Sequence, residues 1–342
     1  MFKFSELHAV HLEITNNCQA KCPMCSRNYR GGLENPYIKV NEWSLEDFST
    51  IFNQEVLDQL KSIFFCGNFG DPIINNDLAE MCGYATNGNP NLQIRIHTNG
   101  GARSKEWWRS LPAKLPRNHF VIFGIDGLED THHIYRVGTK YQQVIDNAKA
   151  FIDAGGIAEW VFIKFKHNEH QVEEARKRAK ELGFKLFTVK NSTRFLEEKF
   201  KVISPDMIKN YKVWVDDSNI ECYVQQNREI YIDAYKNLFP CCFLASTPYN
   251  YTEENDFTFP VRQEVKKQYS KLVESLGGIE NLSATKVGVK NILESNSWQT
   301  VWDYYWNEYK LIVCARTCGV SASKPISKPK DQFVERSNLK EE

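Results

Sequence analysis

No segment of this sequence comes near the roughly 18–20 consecutive apolar residues that a membrane-spanning helix needs, so no membrane contact is expected. Net charge is also missing: 43 Lys and Arg balance 43 Asp and Glu. Such a chain has no general attraction for nucleic acid, and only a local basic groove is left open. The opening residues Met1-Phe2-Lys3-Phe4-Ser5-Glu6 lack a basic segment followed by an apolar one, which predicts no secretory signal and a cytoplasmic protein. No internal repeat is found. Apolar mass is not lacking: 42% hydrophobic and 25% charged residues exclude disorder of the whole chain. The 342 residues suffice for two domains, or for one large α/β domain with an appendage.

Cysteine is what the chain has in plenty. Eight of the ten cysteines fall into an N-terminal group, Cys18, Cys22 and Cys25, and a later group, Cys222, Cys241, Cys242, Cys314 and Cys318. In a reducing compartment such clusters point to metal or redox chemistry rather than to disulfides. Cys66 and Cys82 stand alone and read as buried thiols.

The first two hundred residues alternate in period. Strand-like runs at Ala9–Ile14, Ser62–Cys66, Leu92–His97, His119–Ile125, Trp160–Phe165 and Phe184–Val189 are separated by helical stretches. The helices are expected at Ser44–Leu60, Asn76–Tyr84, Ser104–Leu111, Tyr141–Ala154 and Glu169–Leu182. Six β/α units imply a parallel sheet, as an open partial barrel or a doubly wound sheet, and in both the chemistry sits at the carboxyl ends of the strands. Those ends collect Cys18, Cys22 and Cys25, then Gly67 to Pro72, Thr98-Asn99-Gly100, and Asp126-Gly127. Beyond residue 200 the pattern changes. A helix at Met207–Val215, a hairpin-like run over Glu229–Pro240, a loop from Thr247, a helix from Phe259 to Leu276 and an aromatic helix at Ser297–Ile312 are expected, and the Ser/Lys/Pro-rich 320–342 reads as a disordered tail.

Cys18, Cys22 and Cys25 form C-x3-C-x2-C, three thiols with no fourth local ligand. A structural zinc site closes its sphere with four ligands, whereas three thiolates on a four-iron cluster leave one iron open. A zinc knuckle completed from afar is the alternative. This spacing after a first strand resembles the signature of the radical SAM superfamily. Gly70-Asp71-Pro72 is similar to that family's Gly-Glu-Pro motif, with Asp for Glu, and Phe123-Gly124-Ile125-Asp126-Gly127 to its Ser-Ile-Asp-Gly run, with Gly for Ser. The stretch to Arg136-Val137-Gly138 and Tyr141 also fits, so the resemblance covers about residues 8 to 200. It implies a partial (β/α)6 TIM-type barrel. It also implies a [4Fe-4S] cluster on Cys18, Cys22 and Cys25, S-adenosylmethionine at the open iron, reductive cleavage to a 5′-deoxyadenosyl radical, and hydrogen abstraction from a substrate. A reductant such as flavodoxin or ferredoxin would supply the electron. By the same resemblance Gly70, Asp71 and nearby carbonyls meet the cofactor's amino group, and Arg136 pairs with its carboxylate. Met24 packs on adenine, Thr98 and Asn99 line the ribose, and Asp126 belongs to the same binding edge. Bland readings stand beside these: Asp71 and Asn99-Gly100 as turn residues, Arg136 as a surface ion pair.

Cys222, thirteen residues, Lys236, four residues, Cys241 resembles the opening of a SPASM/twitch auxiliary-cluster domain, with Lys236 where that pattern has Gly and Asn237 able to supply the left-handed turn. Cys314 and Cys318 complete a set of four, with Cys242 as a substitute for Cys241. The resemblance implies a second [4Fe-4S] cluster for electron transfer; a four-cysteine zinc site is the alternative. The expected division is a barrel over 1–200, a twitch-like unit over 201–319 and the tail. A small polar metabolite, dehydrogenated or rearranged, is the first expectation for substrate, and a peptide or protein side chain the second; a non-catalytic iron–sulfur or zinc scaffold is the reading from another class. Lys164, Lys166, His167 and Lys190 are either contacts for an anionic substrate or a solvated face. The aromatics Trp298, Trp302, Tyr304, Tyr305, Trp306 and Tyr309 either frame a substrate or pack on the barrel.

Overall fold

The structure is a computed structural model that describes residues 1–29, 32–191, 211–249, 259–320 and 333–339. Its centre is a nine-stranded sheet. Six strands run parallel in sequence order: β1 (Ala9–Leu12), β2 (Ser62–Phe65), β3 (Gln93–Thr98), β4 (His119–Gly124), β5 (Ala158–Lys164) and β6 (Leu186–Asn191). Helical segments connect them, as parallel pairing demands. This is the parallel sheet expected from the alternation, in the partial-barrel arrangement that the resemblance implies.

Burial along the strands has a period of two. On β1, β2 and β3, Val10, Leu12, Ile63, Phe65, Ile94 and Ile96 are fully buried against the helices, while His11, Phe64, Arg95 and His97 on the other face are only half-buried. Successive side chains of a strand point to opposite faces, so the outer face is the packed core and the inner face lines an open lumen.

Three strands extend the sheet. The hairpin expected after residue 220 is present as β7 (Glu229–Ile232) and β8 (Leu238–Phe239), and β7 pairs parallel with β1, Ala9 opposite Glu229 and Leu12 opposite Ile232. At the other edge β9 (Phe333–Asn338) lies antiparallel to β6. That corrects the expectation of a structureless tail over 320–342: the Ser/Lys/Pro bias is concentrated before Phe333, and the Phe-Val-Glu-Arg-Ser-Asn run caps an open sheet edge, with Arg336 reaching Glu159 at 3.0 Å. Residues 321–332 lie outside the described residues, as do 207–210 of the expected Met207 helix, which is described over Tyr211–Asp217, and residues 250–255 of the expected loop.

Two helix expectations also change. Ser44–Leu60 is two helices, Leu45–Ile51 and Gln54–Gln59, because Asn53 caps the second by accepting from the Val56 amide at 3.1 Å. The aromatic helix runs over Asn296–Asp303, relaxes into a π turn at Tyr304–Glu308, and restarts as Ile312–Cys318. Among the described residues no helix is long and apolar enough to cross a membrane.

Candidate active site

The chain leaves β1 through Glu13, a residue that motif reading passes over. Its carboxylate is buried and accepts from the Phe69 amide (2.6 Å), the Gly70 amide (3.1 Å) and the Tyr231 hydroxyl (2.6 Å). Burial pushes its pKa up to about 7 against the pull of those three donors. Glu13 thereby fixes the loop after β2 to the start of the cysteine loop. A lone acid among apolar neighbours in His11-Leu12-Glu13-Ile14 is the sequence signal for it. The two loops are in contact at Gly70, where a Cβ would sit 2.1 Å from the Thr15 carbonyl oxygen, so only glycine fits.

Cys18, Cys22 and Cys25 come together in one apolar cluster with Ala20, Met24, Tyr135, Ile163 and Phe165. The Cys25 amide donates to the Cys22 carbonyl at 3.1 Å, and the Lys21 amide to Val137 at 2.7 Å, which seats the loop on the 137–138 segment. Asn99 Nδ2 lies 3.5 Å from Cys18 Sγ. Burial raises the Cys18 thiol, and pushes the Cys22 thiol up to about 12 although Arg136 lowers it. Such thiols ionise only when a cationic group binds them, and a coordinating metal deprotonates a thiol outright. Three thiols on one strand-end loop, Cys22 buried and Cys18 and Cys25 half-buried, therefore fit a thiolate-ligated group.

Asp71 is both turn residue and crosslink. One carboxylate oxygen accepts from the Ile73 amide at 3.2 Å and caps the turn Pro72–Ile74. The other accepts from Thr98 Oγ1 at 3.0 Å and the Asn99 amide at 2.7 Å, tying the β2 loop to the end of β3. Burial pushes its pKa up to about 6. Thr98 and Asn99 are thus brought to Asp71 and Cys18, at the strand edge where the sequence puts them.

Asp126 and Arg136 form a buried pair. Arg136 Nε donates to Asp126 Oδ2 at 2.6 Å, and the Ile163 amide donates to Oδ1 at 2.6 Å. Burial raises the Asp126 carboxyl, and Arg136 opposes that. Burial alone would pull the Arg136 guanidinium down, but Asp126 and the Cys22 thiol outweigh it and hold it above its usual range. The reading of Arg136 as a surface ion pair therefore does not describe it. Gly124 has its own reason: a Cβ there would stand 2.4 Å from Arg136 Nη2. The space a serine side chain would need is filled by the guanidinium.

Cys222, Cys241, Cys314 and Cys318 line a single pocket, together with Tyr223, Trp302 and Trp306. Cys242 is not among the lining residues; its thiol is pushed up to about 12 by burial and lies near Glu229 and Glu13. Lys236 itself adopts the left-handed conformation, with φ +69, so the turn expected of Asn237 is made one residue earlier. Asp233 holds that turn by accepting from the Tyr235 and Asn237 amides, both at 2.9 Å. Trp298 is packed in the core, whereas Trp302 and Trp306 are shared between core and pocket. Among the described residues no three His, Cys, Asp or Glu side chains converge tightly enough to hold a single metal ion; a four-iron group is larger and spreads its ligands further apart.

Comparison with known proteins follows this geometry. Residues 12–179 match the family model described as the radical SAM superfamily. No curated protein matches the chain by sequence. Among solved structures, SuiB of Streptococcus suis bound to S-adenosylmethionine is similar at 15% identity and a TM-score of 0.53, covering 86% of this chain and 72% of that one. SuiB bound to its precursor peptide SuiA gives 15% identity, a TM-score of 0.55, and coverage of 87% and 67%. The anSMEcpe structure with bound AdoMet gives 14% identity, a TM-score of 0.53, and coverage of 91% and 89%. At these identities the likeness is one of fold. With the family match over the barrel and the three-thiol loop at its strand ends, the chain belongs to the radical SAM superfamily and is a radical SAM enzyme.

Proposed function

We propose that this enzyme uses two iron–sulfur sites to oxidise or rearrange a small polar metabolite. Cys18, Cys22 and Cys25 would hold a [4Fe-4S] cluster, and Cys222, Cys241, Cys314 and Cys318 an auxiliary one. When bound, the first cluster with S-adenosylmethionine supplies a 5′-deoxyadenosyl radical for hydrogen abstraction, and the auxiliary cluster, fully ligated by protein, supplies an electron sink. The observation that carries the reading is the grouping of the cysteines: three in one strand-end cluster and four around one separate pocket. The Trp302 indole N–H, at the wall of that second pocket, is buried without a partner among the described residues, which suits an acceptor sulfur.

The chain's own residues divide the remaining work. Met24, Tyr135 and Phe165 exclude water around the thiols. Arg136, oriented by Asp126, offers a fixed cation beside Cys22 for a carboxylate of the cofactor. Asp71 orients Thr98 and Asn99 rather than standing free. Cys241 is preferred over Cys242 as the auxiliary ligand because it lines the pocket. The barrel unit spans 1–200 and the twitch-like unit 201–319.

The test is anaerobic reconstitution followed by iron, sulfide and zinc analysis. Two cubane clusters give roughly eight irons, and a Cys18/Cys22/Cys25→Ala variant about four. Wild type also releases 5′-deoxyadenosine under reduction. Stoichiometric zinc with little iron, or no release, overturns the proposal. SuiB bound to SuiA and anSMEcpe with its Cp18Cys peptide make a peptide the second substrate reading.

A further inference from the structure

The four thiols of the second cysteine group act on one another. Burial first, then Cys241 and Cys318, push the Cys314 thiol up; Cys318 first, then burial, raise Cys222; burial, then Cys242 and Cys318, raise Cys241. Among the described residues no Lys, Arg or His lines their pocket, and no cation acts on Cys222, Cys241 or Cys314. A thiolate-bound group here has only neutral neighbours.

Two of those neighbours are indoles. Trp302 lies on the helix Asn296–Asp303 and Trp306 in the π turn Tyr304–Glu308, and both line the pocket. Four residues apart, they share one face of the helix, with ring centroids 5.7 Å apart and planes at 34°. Both Nε1 atoms are buried without a hydrogen-bond partner among the described residues. An indole N–H can only donate, so burying it unpaired is costly unless an acceptor meets it. Trp306 also pulls the Cys314 thiol down against burial and the neighbouring thiols, which places the indole beside that sulfur. Trp298, one turn earlier, provides the contrast. Its N–H lacks a partner too, but the ring packs edge-on against Trp302 in the apolar core, at 5.4 Å and 75°, and does not line the pocket.

A four-iron cluster on four thiolates becomes more negative when reduced. Its potential is set by net charge, by hydrogen bonds to its sulfurs and by exposure to solvent. In this pocket burial opposes reduction and no lining cation offsets it, which leaves N–H donors as the groups able to favour the reduced state. We infer, resting on the two-cluster reading above, that the Trp302 and Trp306 indole N–H groups donate to sulfurs of the auxiliary cluster and raise its one-electron reduction potential. Neither indole is a ligand and neither moves a proton: one electron enters, and no bond forms or breaks. The two tryptophans are tuning residues that fit the second site to accept electrons.

Redox titration of the anaerobically reconstituted full chain tests this, with dithionite as reductant and the clusters followed by electron paramagnetic resonance. The Cys18/Cys22/Cys25→Ala variant keeps the auxiliary signal alone and so assigns it. Trp302→Phe and Trp306→Phe each retain an aromatic ring and remove one N–H. Each lowers the auxiliary midpoint by about 59 mV, a tenfold change in the one-electron equilibrium, while Trp298→Phe leaves it unchanged. Water admitted beside a smaller ring would stabilise the reduced anion and move the midpoint upward, the opposite sign. Iron analysis verifies that each variant still holds the cluster, and where one does not, the other carries the test. Wild type labelled with ¹⁵N in its indoles also shows nitrogen coupling to the reduced auxiliary cluster, a readout independent of any substitution. A midpoint that rises or stays fixed in both pocket variants, an equal fall in Trp298→Phe, or no nitrogen coupling overturns the inference and leaves two clusters standing. Zinc, or no iron, in the Cys18/Cys22/Cys25→Ala variant overturns the two-cluster reading and the inference with it.

Discussion

Alanine at position 124 is a sharp test of the site's architecture. The added Cβ would stand 2.4 Å from Arg136 Nη2 and 3.1 Å from Cζ, both inside contact distance. The guanidinium is the end of a flexible side chain, yet it is held at 2.6 Å by Asp126, whose carboxylate is fully buried. Relief therefore moves Arg136 off Asp126 and leaves a buried carboxylate with the Ile163 amide as its remaining donor. Breaking a buried ion pair costs about 3–5 kcal/mol. Alanine in a strand recovers about 0.5–1 kcal/mol over glycine, so Gly124→Ala should lose about 2–4 kcal/mol. For a chain of this size that is a fall of roughly 3–6 °C in melting temperature, measured anaerobically on metal-free protein so that cluster loss does not contribute. In an Asp126→Asn background no buried charge is left to strand, and the same alanine should cost less than about 1 kcal/mol. The cycle then shows a coupling of about 1–3 kcal/mol. Additive effects, or a Gly124→Ala melting point within about 1 °C of wild type, would show that Arg136 has room to spare and that the clash argument is wrong.

Cys241→Ala should remove the auxiliary iron, about four atoms per chain, whereas Cys242→Ala should retain it; equal loss in both refutes the pocket assignment. Asp71→Ala strands the Asn99 amide and the Thr98 hydroxyl and should destabilise by about 2–4 kcal/mol, read by chemical denaturation. Glu13 has its folded pKa raised from 4.5 to about 7. Between those values the fold binds more protons than the unfolded chain, so this group's contribution to stability falls as pH rises. Glu13→Gln should make the stability profile less steep across that window by up to about 1.4 kcal/mol per pH unit. His11, depressed to about 4, acts in the opposite sense but is common to both proteins. Parallel profiles would count against a protonated Glu13.

The parallel sheet was legible because each β/α unit closes locally, with neighbours in sequence pairing as neighbours in space. The first cysteine group was legible for the same reason, since Cys18, Cys22 and Cys25 share one loop. What escaped depends on distant partners. That β7 joins β1 is a pairing across more than two hundred residues, and nothing in Glu229-Ile230-Tyr231-Ile232 announces it. Glu13 looks like an ordinary strand-end acid until Phe69, Gly70 and Tyr231 are beside it. Phe333–Asn338 was hidden by the composition before it. The inner face of β3 escaped because alternation marks one face of a strand as half-buried without showing that Arg95 and His97 line the lumen.

The hydrogen bond from Tyr231 to Glu13 spans 218 positions of sequence. It has company: Trp43 Nε1 donates to the Asp233 and Ala234 carbonyls, Asn41 Nδ2 to Ala234, and Asn16 Nδ2 to the Tyr235 hydroxyl. Glu13, Asn16, Asn41 and Trp43, which flank the start of the first cysteine loop, are thus braced by residues 231–235. On a ribosome those braces emerge long after the loop they support, and closing so large a loop has an entropic cost that local contacts do not offset. The three thiols nearest the start of the chain therefore reach their final setting among the last parts of the barrel to do so. In the two-cluster enzyme proposed above, loading of that site would then follow completion of residues 231–235, and a fragment ending at residue 200 would lack these braces.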